Sequence, residues 1–348
     1  MTKKIFWILL LAMLLTLLCA CGGENTDTPM PSDAKTWRAY FLRKADEVTV
    51  TDGAVSFPDG MGEMRTVPVS PKKTAILYAS FTTLWYEAGG TVSGCLGGEA
   101  ATELYLEQIG RDISADAGVE ILADSAQAKR WDVERILAAQ PDLLICSSAM
   151  SGYATVEAPA RAAGIPVVPV DYADFADYLK WFKVFCHLSG HPERWESVAM
   201  ATLDEVIEIL TACPQESTLR VLGLFTGVDS LKANTSSTML GGMLQAMGAE
   251  NVADGWTMVA ADHAIVNTEA ILQADPDIIL IQCHSGTDTA KELVERLYGE
   301  DPLWHSLRAV REGRVYYLEK SLFHNKPNRR FAEAYAALAE CLFAARTS

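Results

Sequence analysis

Glu134-Arg-Ile-Leu-Ala-Ala-Gln-Pro-Asp142 and Glu269-Ala-Ile-Leu-Gln-Ala-Asp-Pro-Asp277 are two versions of one nine-residue phrase, 135 positions apart and identical at six positions. Each runs straight into an apolar stretch, Leu143-Leu144-Ile145 in the first and Ile278-Ile279-Leu280-Ile281 in the second. This pattern predicts a short helix, a Pro-Asp turn and a buried strand, twice. Two like-built α/β halves imply two lobes with a cleft between them, and ligands favour clefts between domains.

Outward from the repeat, the chain alternates. Val48 to Val69, with turn signals at Asp52-Gly53 and Asp59-Gly60, predicts a hairpin leading into the first lobe. Strands are expected at Thr74–Ala79, Val92–Cys95, Leu143–Cys146 and Ile165–Val170, with helices at Phe81–Ala88, Asp132–Ala139 and Val156–Ala163. That beat predicts a mainly parallel sheet. No strand signal occurs between Asp171 and Thr218, where helices Ala173–Leu188 and Pro192–Ala212 are expected to bridge the lobes. The second lobe restarts at Leu219–Phe225, continues with a helix at Met239–Met247 and a strand at Arg314–Leu318, and ends in a helix at Phe331–Ala345. The expected fold class is α/β: two Rossmann-like lobes with mainly parallel sheets, joined by a long inter-lobe helix. The expected organisation is a leader 1–20, a flexible tether 21–36, a lobe 37–172 with its hairpin, a helical bridge 173–217 and a lobe 218–348.

Lys3 and Lys4 precede the apolar run Ile5–Leu18, which has the form of a secretory signal. Leu18-Cys19-Ala20-Cys21 resembles the bacterial lipobox, which implies cleavage before Cys21, a lipid on its thiol and an anchored protein on the extracytoplasmic face of the membrane. With 49% hydrophobic and 21% charged residues, the body has material for two cores. A net charge of −16 argues against nucleic acid as a partner. Six further cysteines show no C-x-x-C spacing. Cys95, Cys146 and Cys283 fall where strands are expected to end; they are read as small buried hydrophobes, with thiolate metal ligation as the alternative. The six histidines do not cluster as a bare zinc or manganese site would require. No nucleophile elbow, P-loop or H-E-x-x-H is present, so no catalytic residues are assigned.

Taken in order, several pieces resemble the helix-bridged solute-binding proteins of bacterial ABC importers, a family serving ferric siderophores, haem and cobalamin. These pieces are Pro71–Leu77, Glu134–Leu137 with Pro141–Ile145, Gly164–Val168, Met247–Asn251, Glu269–Leu272 with Pro276-Asp277, and Trp304–Val310 with Gly313–Tyr316. The resemblance implies a monomeric carrier partnered by a permease and its ATPase. It also implies that Glu134 and Glu269, one on each lobe, dock to permease arginines. Asp132 and Asn267 are suitable N-caps, which places each glutamate in a first helical turn. No cofactor is expected, and the cargo is expected to be an iron chelate or a tetrapyrrole. Cleft candidates from the first lobe are Ser80, Phe81, Thr82, Glu99, Trp131, Tyr153 and Tyr172; from the second come Ser236, Trp256, Met258, His284 and His324. The run His324-Asn-Lys-Pro-Asn-Arg-Arg330 is a positive patch in an acidic chain. Lys326, Arg329 and Arg330 would suit carboxylates or an anionic chelate, so a ferric siderophore is the favoured cargo, ahead of a cobamide and haem. His284, His324 or a tyrosine would suit axial ligation of haem. An enzyme on the same scaffold and a non-transport sensor lipoprotein are the rival readings.

Overall fold

The computed structural model describes residues 30–125, 131–214, 218–260 and 262–343. The expected leader and Cys21 lie outside the described residues. Helix α1 (Ala34–Leu42) precedes three strands, β1 (Thr49–Thr51), β2 (Ala54–Pro58) and β3 (Met64–Pro68). The first lobe then alternates β4 (Thr74–Ile76), α2 (Ala79–Glu87), β5 (Gly94–Leu96), α3 (Glu99–Ile109), β6 (Glu120–Ala123), α4 (Val133–Ala138), β7 (Leu143–Ser147), α5 (Tyr153–Ala162) and β8 (Val167–Val170). Helices α6 (Phe175–Ser189) and α7 (Ala201–Ala212) follow, with a π-helical stretch, Trp195–Met200, leading into α7. The second lobe holds β9 (Arg220–Thr226), β10 (Leu231–Asn234), α8 (Met239–Ala246), β11 (Glu250–Asn251), β12 (His263–Ile265), α9 (Thr268–Ala274) and β13 (Ile278–Gln282). It continues with α10 (Thr287–Tyr298), α11 (Pro302–Ser306), α12 (Arg308–Arg311), β14 (Val315–Leu318) and α13 (Lys320–Phe323), and α14 (Phe331–Phe343) comes last.

The first-lobe sheet runs β6-β5-β4-β7-β8 with every pair parallel. In the second, β14-β13-β9 and β11 beside β9 are parallel, while β10 and β12 add an antiparallel edge. Each sheet has its own core. Leu77, Leu96, Ile136, Leu144 and Val156 pack in the first lobe; Leu222, Leu224, Ile271, Ile279 and Ile281 pack in the second. Full burial of each such side chain is worth about 1.5–3 kcal/mol.

The repeated phrase has a structural reason. A residue before proline is disfavoured in the right-handed helical conformation, so the proline ends each helix. Gln140 and Asp275, the pre-proline residues, take φ of 49° and 38°, and the Asp275 N–H closes its helix on the Ile271 carbonyl at 2.8 Å. The aspartate after each proline then clamps the neighbouring parallel strand. The Asp142 carboxylate accepts from Lys72 N–H at 2.7 Å and Lys73 N–H at 2.9 Å, just ahead of β4. The Asp277 carboxylate accepts from Arg220 N–H at 2.8 Å at the start of β9. Both Asp N–H groups return a bond, to the Lys73 and Arg220 carbonyls respectively. Pro-Asp therefore fixes the register of β7 on β4 and of β13 on β9.

Three expectations change. The leading hairpin is a three-stranded antiparallel sheet, because both turn signals, Asp52-Gly53 and Asp59-Gly60, are used. Residues 33–36, expected in the tether, instead begin helix α1. Asp33 caps α1 in a reciprocal bond with Thr36, and Trp37 and Phe41 are buried, Phe41 against Phe175. Of the two bridge helices, α6 is a core helix of the first lobe, with twelve of its fifteen residues buried. The crossing is made by the π stretch and α7, with α14 packed alongside. No helix of the described residues is long and apolar enough to cross a membrane.

Candidate functional site

Helices α4 and α9 begin alike. Asp132 Oδ1 accepts from Arg135 N–H at 3.0 Å, and Asn267 Oδ1 accepts from Glu269 N–H at 2.8 Å. Glu134 and Glu269 therefore sit in first turns, both exposed, with no ion-pair partner among the described residues. A carboxylate there is favoured by the helix macrodipole and remains available to a cation from outside.

A second constellation sits where β9 and β13 end. The Phe225 ring lies 5.5 Å from His263, 5.9 Å from His284 and 5.7 Å from His324, centroid to centroid. His284 Nδ1 and His324 Nε2 are 3.1 Å apart. Neither histidine is loosely held. The His284 N–H donates to Thr226 Oγ1 at 2.9 Å, and Gln282 Nε2 donates at 2.6 Å to the Phe323 carbonyl, just before His324. Burial pulls His324 down to about 4, with His284, Lys320 and Lys326 adding to it; burial and Lys320 also lower His284. Both imidazoles are thus neutral near pH 7, the form that ligates metals. Lys326 completes the wall, its Nζ 5.1 Å from the Tyr172 ring centroid of the first lobe. It is lowered by burial and has no ion-pair carboxylate among the described residues.

The other expected residues are placed differently. Phe81 and Thr82 are buried in the first lobe and offer no surface to a ligand in this conformation; Ser80 is buried and lends its carbonyl to Asn328 at 3.1 Å. Trp131 and Tyr153 are buried in the first-lobe core, and Tyr172 is buried with its hydroxyl donating to Asn328 Oδ1 at 3.3 Å. Glu99 is exposed at the start of α3. Ser236 is engaged with Asp254 at 2.7 Å, Trp256 packs against the second core, and Met258 is exposed.

The positive patch is neutralised at Arg330 only, because the Glu87 carboxyl beside Arg329 is pushed up to about 8 by burial. Arg329 Nε is 3.6 Å from buried Glu87, and Arg330 meets Glu333 at 2.9 Å, Glu107 at 3.7 Å and Glu319 at 3.8 Å. Of the expected cationic set, Lys326 alone faces the histidine wall. The three cysteines expected at strand ends are buried, as small hydrophobes would be. Burial raises Cys95 to about 11 and raises Cys146 and Cys283 too, so all three stay protonated. Among the described residues no three His, Cys, Asp or Glu side chains assemble as a bare-metal site. The sequence reading missed Phe225, His263 and Asn328. The first two stand at or beside strand ends, a usable signal; Asn328 was hidden in the basic run.

The chain matches the periplasmic binding protein family over residues 77–322. Among curated proteins it is similar to the high-affinity heme uptake system protein IsdE of Staphylococcus aureus (strain MRSA252), 28% identical over 114 residues. That stretch is 32% of this chain and 37% of that protein, so the chain spans little more than a third of the length of the curated relatives it matches. Among solved structures it is similar to an ABC transporter substrate-binding protein from Listeria monocytogenes EGD-e (TM-score 0.63, 18% identity, 79% of this chain and 99% of that one). It is also similar to the periplasmic vitamin B12 binding protein BtuF of Vibrio cholerae (TM-score 0.63, 16% identity, 81% and 100%).

Proposed function

The chain belongs to the periplasmic binding protein family, extracytoplasmic transport components that bind without catalysing, and on that premise we propose a specific role. It is the solute-binding component of an ABC importer, anchored through a lipid on Cys21. It carries an iron tetrapyrrole of the haem type, and it offers Glu134 and Glu269 to the permease. The cargo sits between lobes, against the wall of Phe225, His284 and His324.

The observation that carries the cargo class is the 3.1 Å contact of two neutral imidazoles at the ends of β13 and α13. A hexadentate siderophore fills the coordination sphere of its own iron and has no use for imidazole. An iron tetrapyrrole leaves axial positions open, and histidine is a common axial ligand. Its flat face suits Phe225, and its acidic edge suits Lys326. The basic patch that would favour a siderophore is reduced, because Arg330 is paired with Glu333 and Arg329 lies beside the buried Glu87 carboxyl. The heme-uptake relative points the same way.

Titrating the purified protein with hemin, followed by its Soret band, tests the reading. Saturation at one hemin per chain is expected, with a spectrum distinct from free hemin. His284→Ala and His324→Ala should each weaken binding about tenfold or more and alter the band. Saturable binding of a ferric hydroxamate siderophore or of cobalamin, with none of hemin, would sink the cargo assignment.

A further inference from the structure

Away from the cleft, α7 and α14 lie side by side and leave a trough between them. Two adjoining hollows, of about 450 and 340 Å³, share Ile209 and Ala336 and so form one groove. Its floor is Ile209, Ala212, Ala336, Ala339 and Phe343. Its rim is acidic: Glu205, Glu208, Glu333 and Glu340, with no Lys, Arg or His among the described lining residues. Glu333 is held by Arg330, whereas Glu205, Glu208 and Glu340 are exposed and have no ion-pair partner among the described residues. From Ala332 to Phe343 the groove follows α14 for about 16 Å, three helical turns. Alanines along the floor let another backbone come close, as small residues do at helix–helix contacts.

We propose that this groove docks an amphipathic helix of another protein, one with a narrow apolar stripe flanked by Lys and Arg. An apolar floor asks for the stripe, and three unpaired carboxylates around it ask for the cations. The same rim argues against other occupants. A second copy brings the same acids and a net charge of −16. An anionic membrane surface is repelled likewise. Sequence alone hides the groove, because its two walls are some 125 residues apart and each reads as one ordinary amphipathic helix.

The probe is a fluorescein-labelled Leu/Lys amphipathic peptide of about 18 residues, long enough for the groove. Its anisotropy is followed as the protein is added at physiological salt, where loose charge attraction is screened. Saturable one-to-one binding is expected. Ala339→Arg, which fills the floor and puts a cation in it, should weaken binding at least about tenfold, and so should Glu205→Lys with Glu208→Lys. The same charge change on the second lobe, Glu292→Lys with Glu300→Lys, should leave it within about twofold. Equal weakening by both pairs would reduce the effect to net charge and overturn the site. So would a lack of saturable binding to the unaltered protein, or a dimer in sedimentation that Ala339→Arg dissociates, since the occupant would then be a second copy.

Discussion

Glu87 ends α2 with its carboxyl buried, facing the Arg329 guanidinium at 3.6 Å, the Arg329 N–H at 3.4 Å and, further off, Arg330. The buried Tyr172 and Tyr178 are near enough to feel its charge. Loss of water outweighs the arginines and pushes the carboxyl up to about 8, against 4.5 unfolded. Between those values the folded protein holds a proton that the unfolded chain has released. This group's contribution to stability is therefore full below pH 4.5 and is lost as the pH rises toward 8. His324, depressed to about 4, has the opposite slope at lower pH, so the variant difference is the clean measure. Glu87→Gln should remain folded, lose less melting temperature than the unaltered protein between pH 5 and 8, and be the more stable of the two at pH 8. Parallel pH profiles would mean that Arg329 keeps Glu87 ionised. None of this was legible in the sequence, where Glu87 is one acid in a helix and Arg329 is 242 residues away. What could be read at this scale was local: the caps Asp132 and Asn267, and the glutamates they place in first turns.

The element scale is where sequence served best. Helix, Pro-Asp and strand recur because the same two jobs recur: ending a helix, and pinning a strand to its neighbour. Both are executed within nine residues. The antiparallel strands β10 and β12 left no such mark, and neither did α3, whose buried face of Ala101, Leu104, Tyr105 and Gln108 is short and partly polar. The duplicated helix starts carry a prediction of their own. With Asp132 and Asn267 holding the first turns, Glu134 and Glu269 are free to project, and neither contributes to a core. Glu134→Arg combined with Glu269→Arg should lower the melting temperature by only about 1–6 °C, since each charge reversal costs up to about twice the 0.3–1 kcal/mol macrodipole gain. Hemin affinity should stay within about twofold, while uptake in cells carrying the importer should be lost. Equal loss of affinity and uptake would place the two acids in the cleft and not at the permease.

At the scale of the whole molecule, the segment between α13 and α14 ties the lobes together. Asn328, fully buried with φ 53°, donates from Nδ2 to Thr83 Oγ1 at 2.9 Å and is within 3.1 Å of both Gln108 Oε1 and the Ser80 carbonyl. Gln108 Nε2 returns a bond to the Lys326 carbonyl at 2.8 Å, and Lys320 meets Glu103 at 2.7 Å. These contacts join positions some 220–250 residues apart, which is why the tie was invisible while the two sheets it joins were not. A helix-bridged frame with such a tie has little freedom to swing: opening would exchange these hydrogen bonds for water at about 0.5–1.5 kcal/mol each. Scattering with and without hemin should therefore differ in radius of gyration by less than about 0.5 Å, against a total near 20 Å expected for a body of this size. Asn328→Ala removes the amide that holds Ser80, Thr83 and Gln108, so it should destabilise by several kcal/mol and enlarge the hemin-dependent change. Asn328→Gly removes the same bonds but tolerates the left-handed backbone, so it should recover about 1 kcal/mol of that loss without restoring stiffness. A large compaction of the unaltered protein on binding hemin would show that the tie breaks in use, and the lobes would then have to be treated as hinged.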